Sequence, residues 1–159
     1  MFHTNKNVLV CAPTGAGKTN IAMLSALQTI SKHISNEMKG IIDSNDTSFK
    51  MVYIAPLRAL VQEQVIEFQR RLSVLGIRVV ELTGDSDTSR RELVNAHLII
   101  STPEKWDIIS RKFQNKSLIQ KVEFMILDEV HLLHEERGPV IESISMRMIN
   151  NGSRIVALS

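Results

Sequence analysis

The chain has few of the features that would place it at once in a special class of protein. Cysteine occurs once in 159 residues, as Cys11, so an internal disulfide is impossible and a reducing, intracellular setting is favoured. Aromatic residues make up 4% of the chain, which leaves no surface for stacking nucleic-acid bases. The net charge of +2 is too small to indicate nucleic-acid binding by itself.

Long hydrophobic runs are also missing. No apolar run approaches the roughly 20 residues of a membrane span, and the start, MFHTNKNVLV, lacks the apolar core of a signal peptide. Hydrophobic residues nevertheless make up 43% of the chain, enough for a core, and the length suits one compact domain. We therefore expect an intracellular globular domain without a membrane partner.

Apolar strands alternate with helical patterns along the chain. Strands are predicted at 7–11, 51–55, 78–82, 97–101, 122–127 and 154–159, and helices at 18–34, 58–75, 89–95, from 103 onwards and at 139–150. Strands that are apolar throughout, separated by helices, indicate a mostly parallel sheet covered by helices on both faces. The fold class is thus α/β with three layers, and ligands are expected at the carboxyl ends of the strands.

The segment CAPTGAGKTN after the first predicted strand has the pattern of a phosphate-binding loop. It departs from G-x-x-x-x-G-K-[ST] only where Ala12 replaces the first glycine. Gly15 and Gly17 can take backbone angles closed to other residues, so that main-chain N–H groups and the start of the next helix face phosphate oxygens. Lys18 would reach the outer phosphates, and the Thr19 hydroxyl would bind Mg²⁺. The predicted nucleotide-binding residues are Ala12, Pro13, Thr14, Gly15, Ala16, Gly17, Lys18 and Thr19.

Two adjacent carboxylates, Asp128 and Glu129, follow the predicted strand 122–127. Adjacent acids at the end of a buried strand repel each other and are costly to desolvate, so a cation is expected opposite them. Beside a phosphate-binding loop that cation is Mg²⁺ brought in with ATP. Asp128 would bind Mg²⁺, partly through water, and Glu129 would activate the attacking water.

The motifs together resemble a known family. DEVH at 128–131, combined with APTGAGKT, is similar to the DExH helicases of superfamily two. The segments 55–60 (APLRAL), 81–85 (ELTGD) and 101–107 (STPEKWD) resemble further motifs of these enzymes. ILDEVHLLHEERGPVIESI resembles the Ski-type branch, the large helicases that carry Sec63-like domains. The similarity extends over nearly the whole chain.

The resemblance implies a first RecA-like domain, residues 1–159, truncated at both ends, from an ATP-dependent helicase of the nucleus. A second RecA-like domain would supply an arginine finger and half of the nucleic-acid track. The expected partners are single-stranded RNA or DNA and a ribonucleoprotein or repair complex. His131 would link the nucleotide site to the motif beginning at Ser159. The residues expected at the nucleic-acid backbone are Pro56, Leu57, Arg58, Thr83, Gly84, Asp85, Thr102 and Pro103.

Other interpretations of the sequence remain open. A P-loop ATPase that remodels proteins, or a nucleotide-binding scaffold without catalysis, would also use these motifs. RNA and DNA cannot be told apart, because turns that contact the backbone carry no base information. We also expect Trp106 to pack against the sheet and Cys11 to be a small buried residue. The HLLHEE segment lacks the H-E-x-x-H spacing of a zinc site. Alone, the chain should bind nucleotide weakly, hydrolyse it poorly and unwind nothing.

Overall fold

A six-stranded parallel sheet forms the centre of the protein. The computed structural model describes residues 4–13, 15–34, 41–43, 46–84, 88–133 and 138–159. The strands are β1 Val8–Val10, β2 Lys50–Ile54, β3 Val79–Leu82, β4 Leu98–Ser101, β5 Val122–Leu127 and β6 Arg154–Leu158. Their order is β1-β6-β5-β2-β4-β3, so β5 and β2 lie at the middle of the sheet.

Helices connect the strands and cover both faces of the sheet. They are α1 Lys18–Ser31, α2 Arg58–Leu72, α3 Arg90–Asn95, α4 Pro103–Arg111, α5 Lys116–Gln120 and α6 Gly138–Asn150. Residues of α1 and α2 form one core cluster with one face of the sheet, and residues of α3, α4, α5 and α6 form the other. The predicted three-layer α/β fold is therefore confirmed. No helix in these described ranges is long and apolar enough to cross a membrane.

Alternation along β2 supplies both cores. Met51 and Tyr53 point into the cluster with α1 and α2, whereas Val52 and Ile54 point into the other cluster. All four are at most 1% exposed. This strand is therefore buried on both faces, as parallel strands usually are. Full burial of each such side chain contributes about 1.5–3 kcal/mol to stability.

Some local predictions were wrong. The single helix predicted at 58–75 ends at Leu72 and continues as a tight 3-10 turn, Ser73–Leu75. Gly76, with a φ of 79°, caps this turn in the left-handed conformation that glycine favours. The short helix α5 was missed. Cys11, expected to be buried, is exposed because it lies beyond the end of β1. Trp106 is fully buried in the core, as predicted.

Candidate nucleotide-binding site

The loop between β1 and α1 has the backbone that its glycines predicted. Gly15 and Gly17 have φ of 82° and 86°, a left-handed conformation that favours glycine. Gly17 caps the amino end of α1. The Ala12 amide donates to the Ser159 carbonyl at 3.0 Å, which ties the loop to the end of β6, and the Ala16 amide donates to the Pro13 carbonyl at 3.1 Å. Thr14 lies outside the described residues.

Lys18 faces the carboxylates predicted to lie opposite a cation. Its Nζ donates to Glu129 Oε2 at 3.2 Å, and the two side chains are 10% and 23% exposed. Glu129 follows β5 with a φ of 49°, a left-handed conformation uncommon for residues other than glycine. This strained turn directs the carboxylate toward α1. The two sequence motifs, 111 positions apart, therefore meet in one ion pair.

Asp128 is held from two sides. Its Oδ2 accepts a hydrogen bond from the Tyr53 hydroxyl at 2.5 Å, and its Oδ1 accepts one from the Glu129 amide at 2.9 Å. Burial raises the pKa of Asp128 above the ordinary aspartate value, and the Tyr53 hydrogen bond opposes that rise. Burial and the nearby Asp128 charge raise the pKa of Tyr53 well above its usual value, so its hydroxyl remains a donor.

Sequence reasoning missed Tyr53 because it was considered only as part of a strand. The available signal was one phenol in an otherwise apolar strand, directly before the APLRAL segment. Its meaning depends on β2 lying beside β5, and strand order cannot be read from the sequence.

His131 lies between the carboxylate and the end of β6. Its Nε2 is 3.3 Å from Glu129 Oε2, and its Nδ1 is 3.4 Å from Ser159 Oγ. This is the position in which an imidazole could link the two, as the resemblance implied. The role itself stays a prediction. His134, Glu135 and Glu136 lie outside the described residues.

Lys18, Asp128 and Glu129 line one cleft of about 330 Å³. Residues from the loop, from α2 and from the end of β5 form its walls: Gly15, Gly17, Lys18, Thr19, Leu60, Glu63, Gln64, Asp128 and Glu129. Sequence reasoning did not find Glu63 or Gln64. Gln64 Oε1 is buried and has no hydrogen-bond partner among the described residues.

The cleft has the donor set that a magnesium nucleotide requires. Carboxylate oxygens of Asp128, Glu129 and Glu63 and the Thr19 hydroxyl are the hard oxygen ligands that Mg²⁺ prefers, directly or through water. Lys18 and the amino end of α1 are the cationic groups that phosphates prefer. The residues present therefore fit Mg²⁺ together with a phosphate chain.

The segments expected to contact nucleic acid lie at the carboxyl ends of three neighbouring strands. Residues 56–58 follow β2, residues 83–84 follow β3 and residues 102–103 follow β4. Their exposure differs. Leu57, Arg58 and Gly84 are exposed, whereas the side chains of Pro56, Thr83, Thr102 and Pro103 are buried. Asp85 lies outside the described residues.

The buried members of this set have a packing role that the sequence did not reveal. The Thr83 side chain is fully buried, and its Oγ1 donates to Glu81 Oε1 at 2.9 Å. Thr102 precedes α4 without a side-chain capping bond, and Pro103 takes the first helical position. At these positions only the backbone is suited to contact a phosphate.

A parallel α/β sheet with a glycine loop after its first strand and an acidic pair after a central strand defines a P-loop domain. The DEAD/DEAH box helicase family matches residues 1–159. The chain belongs to this family.

Curated relatives are identical to this chain at about half of the aligned positions. It is 51% identical over 150 residues to pre-mRNA-splicing factor brr2 of Schizosaccharomyces pombe and to the human U5 small nuclear ribonucleoprotein 200 kDa helicase. It is 52% identical over 149 residues to human activating signal cointegrator 1 complex subunit 3. The alignments cover 93–94% of this chain but only 6–7% of those proteins.

Solved structures share the fold. Mss116p bound to single-stranded RNA and AMP-PNP superposes with a TM-score of 0.77 at 22% identity, covering 99% of this chain and 32% of that one. The helicase MrfA bound to DNA and AMPPNP gives a TM-score of 0.72 at 23% identity, covering 97% and 22%. The fold is thus that of a RecA-like helicase core domain, as the sequence predicted.

Proposed function

We propose that this chain is the ATP-binding RecA-like domain of an ATP-dependent helicase. The observation that carries the proposal is the meeting of Lys18, Glu129 and Asp128 in one cleft at the amino end of α1. A phosphate-binding loop and an acidic pair that meet in one cleft are together the groups that a magnesium nucleotide needs. Membership of the DEAD/DEAH box helicase family supports the same reaction.

The reaction follows from the contacts in the cleft. Gly15 and Gly17 leave room for phosphate oxygens to approach the loop, and the amino end of α1 attracts their charge. The Lys18 ammonium moves from Glu129 to the outer phosphates. Thr19, and Asp128 partly through water, would hold Mg²⁺, which would supply neutralisation of the phosphate charge.

Release of Lys18 leaves Glu129 as the general base. Its carboxylate accepts a proton from the water that attacks the terminal phosphorus, a form of help worth about 10²–10⁴-fold. His131 contacts both Glu129 Oε2 and Ser159 Oγ. A change at Glu129 during that step therefore alters the contact of His131 with Ser159. The catalytic residues in this proposal are Lys18, Asp128, Glu129 and His131.

Strand separation requires parts beyond these residues. We propose that the chain is one domain of a longer protein, since it spans 6–7% of the length of the curated relatives. A second RecA-like domain would supply the arginine finger, a contribution of about 10³–10⁵ in rate. Single-stranded RNA or DNA would cross residues 56–58, 83–85 and 102–103. Relatives named for a splicing factor, a ribonucleoprotein and a cointegrator complex support action within such an assembly, in the nucleus.

The test is ATP hydrolysis by the chain joined to its own second domain, with and without single-stranded RNA or DNA. We expect nucleic acid to stimulate hydrolysis, and a duplex with a single-stranded tail to be unwound. Hydrolysis that neither RNA nor DNA stimulates would favour the alternative, an ATPase that remodels protein or ribonucleoprotein complexes. Absence of hydrolysis in the joined protein would contradict both proposals.

A further inference from the structure

Tyr53 is a buried phenol whose hydroxyl reaches the acidic pair. The side chain has no exposure, and its ring meets Phe68 edge-on, with centroids 5.4 Å apart at 68°. The ring belongs to the core cluster formed with α1 and α2. The hydroxyl donates to Asp128 Oδ2 at 2.5 Å. One end of the side chain is therefore core, and the other end contacts Asp128, a residue that lines the nucleotide cleft.

Core packing does not explain the hydroxyl. Burying a hydroxyl costs free energy unless it is hydrogen-bonded, and phenylalanine would fill the same space without that cost. Its partner is the Asp128 carboxylate, which is itself partly buried. The hydroxyl is thus best explained by what it does to Asp128.

Strand β2 holds Asp128 through both backbone and side chain. The Asp128 amide donates to the Ile54 carbonyl at 2.9 Å, and Tyr53, the residue before Ile54, bonds the carboxylate. The Glu129 amide bonds the other carboxylate oxygen. Each oxygen of Asp128 therefore has one donor that fixes the plane of the group, and each keeps lone-pair capacity for a further partner.

We propose that Tyr53 is a positioning residue that orients Asp128 for magnesium, an inference that rests on the proposed function. The hydroxyl fixes the rotation of the carboxylate before the metal arrives. Outer groups that orient ligands in this way typically change metal affinity by about 10- to 100-fold when they are removed. Lys18 and His131 contact Glu129, whereas the Tyr53 hydroxyl contacts Asp128.

Loss of the Tyr53 hydroxyl should affect the Asp128 carboxylate and not the phosphate contacts of the cleft. In Tyr53→Phe, Asp128 keeps only the Glu129 amide and can rotate away from the metal position. The phosphate contacts proposed for the loop and for Lys18 should be untouched, because the loop lies between β1 and α1 and Lys18 begins α1, whereas Tyr53 lies on β2. The variant should therefore lose affinity only for the magnesium complex of a nucleotide.

The first experiment is calorimetric titration of ADP into the chain, with Mg²⁺ and with EDTA. Phe68→Leu is the matched control, since it disturbs the same ring contact and leaves the hydroxyl in place. We expect Tyr53→Phe to lower the gain in ADP affinity given by Mg²⁺ about 10- to 100-fold, with metal-free ADP binding unchanged. Phe68→Leu should lower the melting temperature and leave the Mg²⁺ gain unchanged.

The second experiment needs no substitution at residue 53. Tyr53 is the only tyrosine in the chain, so tyrosine labelled with ¹³C at Cζ gives one resonance. Adding Mg²⁺ to the ADP complex should shift this resonance in the parent chain and leave it unmoved in Asp128→Asn. This measurement keeps the proposal testable if Tyr53→Phe fails to fold.

The outcomes separate this inference from the proposed function. A folded Tyr53→Phe variant with the full Mg²⁺ gain, or a resonance that Mg²⁺ does not move in the parent, overturns the role of Tyr53 and leaves nucleotide binding intact. A parent chain that binds ADP without any Mg²⁺ gain also overturns it. A parent chain that binds no ADP contradicts the proposed function itself, and the inference with it.

Discussion

Polar side chains lie at both edges of the sheet, the edge where the strands begin and the edge where they end, but their partners are of different kinds. At the edge where the strands begin, Lys50 Nζ donates to the carbonyls of Val94 and Ala96 at 2.7 and 2.6 Å. His97 contacts the Arg78 amide at 2.9 Å and the Asp46 carbonyl at 2.7 Å. These partners are backbone groups fixed by the fold, so no ligand can replace them without unfolding the segment.

At the edge where the strands end, the polar side chains around the acidic pair have side chains as partners. Lys18 pairs with Glu129, His131 contacts Glu129, and Tyr53 bonds Asp128. A side chain such as Lys18 can leave its partner for a phosphate at small cost, because both members of the pair border the cleft. The comparison indicates that burial alone does not mark a functional group. A functional group is marked better by a partner that can be exchanged for a ligand.

The largest effect should follow from Glu129→Gln in the protein with both RecA-like domains. Glutamine keeps the shape of the side chain but cannot accept the proton of the attacking water. We expect ATP turnover to fall by about 10²–10⁴-fold while ADP binding stays within a few-fold. Glu123→Gln is the control, since this carboxylate pairs with His33 at 3.0 Å away from the cleft. Unchanged turnover in Glu129→Gln would remove Glu129 from the mechanism.

Lys50→Met should instead change stability alone. Methionine fills the space of the lysine stem but leaves the carbonyls of Val94 and Ala96 without their donor. An unsatisfied buried acceptor costs about 1–3 kcal/mol, so we expect the free energy of unfolding to fall by about 2–4 kcal/mol. Urea denaturation measures this. Reduced ADP affinity of the folded variant would contradict the prediction that Lys50 affects stability alone.

His97 should give a smaller, pH-dependent effect. Burial lowers its pKa, and the neutral ring satisfies both contacts, with Nδ1 accepting from Arg78 and Nε2 donating to Asp46. Below the unfolded value of about 6.5 the unfolded chain binds a proton that the folded chain does not. Stability should therefore fall as the pH drops below this value, by at most about 1.4 kcal/mol per pH unit for one proton.

The matched variant for that measurement is His97→Gln. Urea denaturation at pH 7.5, 6.5 and 5.5 should show a shallower loss of stability in His97→Gln than in the parent, although the variant is less stable throughout. Equal slopes in the two proteins would mean that His97 binds its proton as readily in the folded state as in the unfolded state, which would contradict the prediction. The His33→Gln variant tests the specificity of the effect, because that histidine pairs with a carboxylate.

The fold and half of the site could be predicted from local patterns. Apolar strands between helices predicted the parallel sheet, and the glycines of the loop predicted the left-handed angles at Gly15 and Gly17. Both features are decided by residues close in sequence. The predicted strand bounds differ from the observed ones by at most one residue at either end, and those of β5 agree completely.

The rest of the site depends on which strands are neighbours. Tyr53 matters because β2 lies beside β5, and Glu63 and Gln64 matter because α2 forms one wall of the cleft. The apolar surroundings of Cys11 wrongly predicted burial, since they did not show where β1 would end. The cation predicted opposite the acidic pair was Mg²⁺, and the structure places the Lys18 ammonium against Glu129.

The central claim is that the cleft between the loop and the acidic pair binds a magnesium nucleotide. Calorimetric titration of Mg-ADP into the chain tests it, beside Lys18→Ala and the control Lys32→Ala, which changes an exposed lysine just beyond the other end of α1. A charge-assisted contact is worth about 1.5–3 kcal/mol, so Lys18→Ala should weaken binding by about 10- to 100-fold while Lys32→Ala binds like the parent. Equal affinities in all three folded proteins, or no binding by the parent, would contradict the account.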